Sequence, residues 1–147
     1  MRRGALLLFG LLCAAQVLTA QEWTSSYEEA LQQAETQDKP LILVFSGSDW
    51  CAPCKRLERE VWQSDTFKQY AQDHYVLYKA DFPRKKKNQL PLETRNANKS
   101  LIERFNTKGF FPLVVVMDGG ENVLGKTGYQ RMKPDKYIKL LNSYTNR

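Results

Sequence analysis

Sulfur and imidazole are scarce in this chain of 147 residues, which holds three cysteines and one histidine. A closed zinc site usually takes four soft ligands, and Cys51, Cys54 and His74 fall short of that number, so no metal site is expected; two thiols that cycle between dithiol and disulfide need no added cofactor either. Long apolar runs are also lacking. The stretch from Ala5 to Val17 is shorter than the roughly 20 residues that span a bilayer, which argues against a retained membrane anchor. No large excess of one charge is present either: 22 basic against 16 acidic residues leave +6. Such a mild basic balance suits acidic partners but gives no argument for nucleic acid. No internal repeat is visible, which excludes solenoids.

What is there begins with an export signal. Arg2 and Arg3 form a charged start, Ala5 to Val17 the apolar stretch and Thr19-Ala20 a small-residue exit, so residues 1–20 read as a cleaved signal peptide. Leu18 is larger than the residue usually found three positions before the cut, which leaves the cleavage point open by a few residues. A lipid anchor on Cys13 fits less well, because Gly10-Leu11-Leu12 poorly matches a lipoprotein cleavage box. Export to the periplasm or beyond removes Cys13, leaving Cys51 and Cys54 as each other's partners. Residues 21–147 are enough for one domain and one core, expected to be monomeric.

Ser25 and Glu28 form a capping-box pattern, and Tyr27, Ala30, Leu31 and Ala34 fall at helical spacing, predicting a helix over 26–37. Leu41 to Phe45 is a continuous apolar run, as in a central strand covered on both faces. After the turn 46–49 comes a helix carrying Cys54, Leu57 and Val61 on one face. Ser64 caps a further helix through Phe67 and Ala71. Residues 75–81 form the next strand. Pro83, the run Arg84-Lys85-Lys86-Lys87 and Pro91 make 82–98 an exposed insertion, and its charges read as a solvated loop more readily than as a docking site. A short helix over 99–105, a strand over 113–117, a turn at 118–121, an antiparallel edge strand over 122–129 and a helix from Pro134 complete the chain. Right-handed crossovers then give an α/β fold: a mixed sheet of about four strands with helices on both faces.

Chemistry concentrates in Trp50-Cys51-Ala52-Pro53-Cys54-Lys55. Two thiols stand one turn apart where a buried strand hands over to a helix. Unpaired N–H groups and the dipole at a helix start favour thiolate, the reactive form. A second thiol three residues on can attack a mixed disulfide formed at the first. A static disulfide is the plainer alternative, yet closing so short a loop removes little unfolded-state entropy.

This motif, Gly109-Phe110-Phe111-Pro112 leading into Leu113-Val114-Val115-Val116, and a Gly-rich hairpin before the last helix together resemble the thioredoxin superfamily, in particular secreted bacterial thioredoxin-like proteins. The resemblance spans roughly residues 23–145 and implies a thioredoxin-like fold. It implies Cys51 as nucleophile, Cys54 as the more buried resolving thiol, and a cis peptide before Pro112. Trp50, Phe111 and Pro112 would contact the substrate. Phe45 stands where the family buries an acid, and Leu77 where a lysine partners it, so the Cys54 proton must go to water, to another acid such as Asp49, or to the substrate. His74, the remaining titratable ring, reads as a surface residue at a helix end.

The expected function is an exported thiol–disulfide oxidoreductase. The uncharged Ala-Pro pair between the cysteines is closer to reducing thioredoxins than to histidine-containing oxidants, which favours reduction of protein disulfides. A reductase in an oxidising compartment needs electrons, which by family analogy implies a membrane thiol transporter as donor. The alternatives are a disulfide oxidase or isomerase, a non-catalytic thioredoxin-like binding module, and, more weakly, copper or zinc handling by the dithiol.

Overall fold

The computed structural model describes residues 22–145. The expected signal peptide and Cys13 lie outside the described residues. The sheet has the order β2-β1-β3-β4, built from β1 (Leu41–Ser46), β2 (Val76–Asp81), β3 (Leu113–Met117) and β4 (Val123–Thr127). β1 runs parallel to β2 and antiparallel to β3, which pairs antiparallel with β4 at the edge. All six residues of β1 are buried, as its central place requires.

Successive side chains of a strand point to opposite faces, so the sheet divides the core in two. On one face Leu41, Leu43 and Phe45 pack with Tyr78, Val115 and Met117 beneath α1 (Tyr27–Gln37) and α4 (Leu92–Phe105). On the other, Ile42, Val44, Leu77, Val114 and Val116 pack with Trp62, Phe67 and Tyr137. These last three come from a π-helical turn (Glu58–Trp62) extending α2 (Ala52–Leu57), from α3 (Asp65–His74) and from α5 (Pro134–Thr145). Each such side chain contributes about 1.5–3 kcal/mol when fully buried. No helix among the described residues is long and apolar enough to cross a membrane.

The helix-start signals hold, with one shift. Ser26 rather than Ser25 caps α1, its hydroxyl accepting the Glu29 N–H at 3.1 Å. Glu29 in turn accepts the Ser25 backbone N–H and hydroxyl at 3.1 and 2.7 Å. Ser64 caps α3 as expected.

The stretch expected as an exposed insertion, 82–98, is only partly irregular. It contains a 3₁₀ turn, Lys86–Asn88, and α4 begins at Leu92 rather than at residue 99. Asn98 explains the extra turns of helix: it is 1% exposed, accepting the Tyr78 hydroxyl at 2.7 Å and donating to the Asp81 carbonyl at 3.1 Å. A buried amide with both ends satisfied anchors this half of the segment to β2.

Candidate active site

β1 ends at Ser46, and the chain must turn sharply to start α2. Asp81, the register partner of Ser46 on β2, holds that turn by accepting the Ser48 backbone N–H at 2.9 Å and its hydroxyl at 2.5 Å. Gly47 is required there: a Cβ would lie 2.3 Å from the Trp50 ring. The indole so accommodated donates Nε1–H to the Phe82 carbonyl at 2.7 Å.

Cys51 is the N-cap of α2. Its Sγ accepts the backbone N–H of Cys54 at 3.3 Å, so the sulfur occupies the place where a capping oxygen would satisfy an orphan donor. Cys51 and Cys54 form a disulfide. Both are 4% exposed, so the expected contrast between an open Cys51 and a buried Cys54 is absent at the residue level. Bonding the sulfurs makes each cover the other.

The Phe111–Pro112 peptide is cis. The loop before it is fixed by Asn106, 3% exposed, whose amide donates to the Phe110 carbonyl at 2.8 Å and accepts the Phe110 N–H at 2.9 Å. Phe111 meets the Trp50 ring edge-on at 5.3 Å and the Phe82 ring at 5.6 Å. Pro53, between the two cysteines, shares an open cleft of about 420 Å³ with Phe110, Phe111, Pro112 and Tyr129. Trp50 and Phe111 are thus in contact, and Pro53, between the two cysteines, faces Phe111 and Pro112 across one cleft. Phe110, 58% exposed, offers a large apolar ring at its rim.

Phe45 is fully buried and stacks on Phe82 at 6.4 Å, so the position of the family's buried acid is part of an aromatic column. A different carboxylate shares a cleft with Cys54. A separate cleft of about 340 Å³ is lined by Cys54, Ser46, Glu58 and Lys79. Glu58 lies one turn beyond Cys54, and its carboxylate pairs with Lys79 Nζ at 2.5 Å. Lys79 is two residues from Leu77, hence on the same side of β2, and its ammonium also lies 4.4 Å from the Trp23 ring centroid. The lysine absent at residue 77 is therefore supplied at residue 79.

Asp49 is committed elsewhere. Its carboxylate accepts the Arg84 and Lys85 backbone N–H groups and the Asn88 side-chain amide, each at 2.9 Å. These bonds, the Arg84 N–H foremost, hold its carboxyl down at about 2 despite an opposing desolvation. A carboxylate so weakly basic and so fully engaged is a poor acceptor for a thiol proton. The same tether brings the Arg84 guanidinium 3.9 Å from the Trp50 ring centroid. His74 lies at the end of α3, stacked on Tyr70 at 3.9 Å. Among the described residues, no three His, Cys, Asp or Glu side chains gather as a metal site would need.

Sequence reasoning missed Glu58, Lys79, Asn106, Phe110 and Tyr129. Glu58 carried a usable signal, an acid four residues after Cys54 on the same helix side. Phe110 carried another, an aromatic residue in a loop directly before the strand proline. Asn106 and Tyr129 carried none.

Comparison with known proteins agrees with this architecture. The thioredoxin-like family model matches residues 22–119. The disulfide bond reductase DsbH of Chlamydia pneumoniae is 34% identical over 122 residues, covering 83% of this chain and 71% of the relative. A thiol:disulfide interchange protein DsbD of Campylobacter jejuni is 26% identical over 121 residues, which cover 82% of this chain but only 19% of that protein. A solved structure of a DsbH oxidoreductase superposes with a TM-score of 0.79 at 31% identity, covering 97% of this chain and 94% of the other. The thioredoxin of Thermus thermophilus shares the fold at 16% identity, with a TM-score of 0.64 over 86% of this chain and 88% of its own.

Proposed function

The chain belongs to the thioredoxin-like family and is a thiol–disulfide oxidoreductase of the Dsb type with a Cys51–Cys54 pair; on that premise we propose that it is an exported reductase of protein disulfides. The observation that carries the proposal is the Cys51 sulfur at the start of α2, accepting a backbone N–H, two residues before the Pro53 that lines a cleft with Phe111 and Pro112. When the pair is reduced, that N–H and the helix end favour the Cys51 thiolate.

The thiolate attacks one sulfur of a substrate disulfide, forming a Cys51–substrate bond and expelling the other substrate sulfur as thiolate. Cys54 then loses its proton and attacks Cys51 Sγ, releasing the second substrate thiolate and leaving the Cys51–Cys54 disulfide. Two electrons pass to the substrate. The Cys54 proton leaves through the cleft that this residue shares with Glu58 and Lys79, with Glu58 as its acceptor through water. Trp50, Phe111 and Pro112 hold the substrate chain alongside.

Reduction rather than oxidation is supported by the uncharged Ala52-Pro53 pair, which adds nothing to stabilise the thiolate, and by the name of the 34%-identical relative, a disulfide bond reductase. The 121-residue match to part of a thiol:disulfide interchange protein supports dithiol exchange, and the need for electrons in an oxidising compartment supports a membrane thiol transporter as donor. Export is supported by the signal pattern of residues 1–20.

Insulin reduction with dithiothreitol as electron source tests the mechanism. Cys51→Ser is expected to abolish turnover, and Cys54→Ser to accumulate a mixed disulfide through Cys51. Undiminished activity in both variants excludes the mechanism. A wild-type protein that accepts electrons from dithiothreitol without turning over would instead be a binding module.

A further inference from the structure

The basic run after β2 is built into the rim of the cysteine site. Asp49, two residues before Cys51, holds the backbone of Arg84 and Lys85 and the side chain of Asn88. Gln89 closes the loop by donating to the Pro83 carbonyl at 2.9 Å. Fixing several residues of a surface loop costs about 1–2 kcal/mol of backbone entropy each, and a loop serving only as a solvated connection needs no such tether.

The surface it forms continues into the cleft. Arg84 covers one side of the Trp50 ring, Trp50 touches Phe111, and Phe111 lines the cleft with Pro53 and Pro112. The acidic groups nearby are already used. Asp49 serves the loop amides, Asp81 holds Ser48, and Glu58 pairs with Lys79. By contrast, the exposed Lys85, Lys86 and Lys87 make no salt bridge among the described residues. Four cations in a fixed row, with the single Asp49 carboxylate as their counter-charge, keep a net positive charge beside the cleft and draw oppositely charged chains toward it.

We propose that the tethered segment Arg84–Lys87 is a docking surface for acidic stretches flanking the disulfide of a polypeptide substrate, guiding that disulfide to Cys51. The inference rests on the function proposed above. Its occupant is an acidic polypeptide, since the surface adjoins an apolar, aromatic cleft suited to an extended chain.

The test uses the reduced full-length protein and three disulfide peptides that differ only in flanking residues, acidic, neutral or lysine-bearing. At low salt the acidic peptide is expected to be reduced about 10-fold faster than the lysine-bearing one, with the difference vanishing at high ionic strength. The variant Lys85→Gln/Lys86→Gln/Lys87→Gln should lose that preference while exchanging with uncharged dithiothreitol at the wild-type rate. Equal rates for all three peptides, or a preference that survives in the variant, overturns the proposal.

Binding of a cysteine-free acidic peptide to the oxidised protein separates the two levels. Salt-sensitive binding lost in the variant supports the docking surface even if no peptide is reduced, an outcome that would defeat the oxidoreductase mechanism alone. No binding and no charge preference defeats the docking surface alone.

Discussion

Asp49 and Glu58, the two carboxylates flanking the cysteine turn, have different commitments. Asp49 holds a loop and stays ionised; Glu58 stands beside Cys54 with Lys79 as partner. The depressed Asp49 carboxyl gives a pH prediction with a definite sign. Its folded value of about 2 lies below the ordinary 3.8, so its contribution is fully present above about pH 4 and is lost as pH falls toward 2. Hydrogen exchange at the Arg84 and Lys85 amides should accelerate over that window relative to the rest of the molecule. A constant ratio would show that Asp49 does not hold them.

Glu58→Gln, in turn, should slow resolution of the Cys51 mixed disulfide about 10-fold at neutral pH while sparing the first attack. The effect falls below that of direct proton transfer, because the Glu58 side chain is 35% exposed and water competes with it. Rapid-mixing measurements of the two steps check this, and an unchanged second step would remove Glu58 from the mechanism. The Cys51–Cys54 pair and the cis peptide before Pro112 were legible because short motifs carry both. Glu58 and Lys79 were not, because their pairing joins the π-helical turn after α2 to β2, 21 residues on, through tertiary packing.

Among the elements, the strands were read best, since β1 and β3 are unbroken apolar runs and burial of both faces leaves such runs few alternatives. The start of α4 was read worst. Its first turns, Leu92 to Asn98, carry Leu92 at 64% exposure and almost no apolar face, so no periodicity marks them. What holds them is the tertiary contact of Asn98 with Tyr78 and Asp81, invisible to local pattern. The π-helical turn after α2 was likewise unforeseen; Val61 and Trp62 are both buried in it.

Two element-scale predictions follow from these packings. Trp62, 2% exposed, contacts Phe67, Tyr137 and Trp23, so Trp62→Ala should destabilise the fold by about 3–5 kcal/mol in denaturant titration. A loss under 1 kcal/mol would mean that this side of the core can close around the gap. Asn106→Ala leaves the Phe110 N–H and carbonyl without their partner and should cost about 2 kcal/mol. It should also raise KM for disulfide peptides more than it lowers kcat, because it loosens the cleft rather than the cysteines. A fall in kcat alone would contradict that role.

At the scale of the whole molecule, a mixed four-stranded sheet sets the cysteine turn, the proline loop and the basic rim at one end. The direction of electron flow is a property of that assembly and not of the motif. About 30 mV in reduction potential is only about 1.4 kcal/mol between dithiol and disulfide. Equilibration against glutathione should place the Cys51–Cys54 couple nearer to about −270 mV, as in reducing thioredoxins, than to about −120 mV, as in strong oxidants. A value at the oxidising end would reverse the assigned direction while leaving the exchange chemistry intact.

That chemistry depends on an ionised Cys51, and alkylation of the reduced protein as a function of pH measures it most directly. Cys51 should react as a thiolate with an apparent pKa clearly below the ordinary thiol value of about 8.5, and ahead of Cys54. If Cys51 instead titrates like an unperturbed thiol, or reacts no faster than Cys54, the proposed nucleophile is not one.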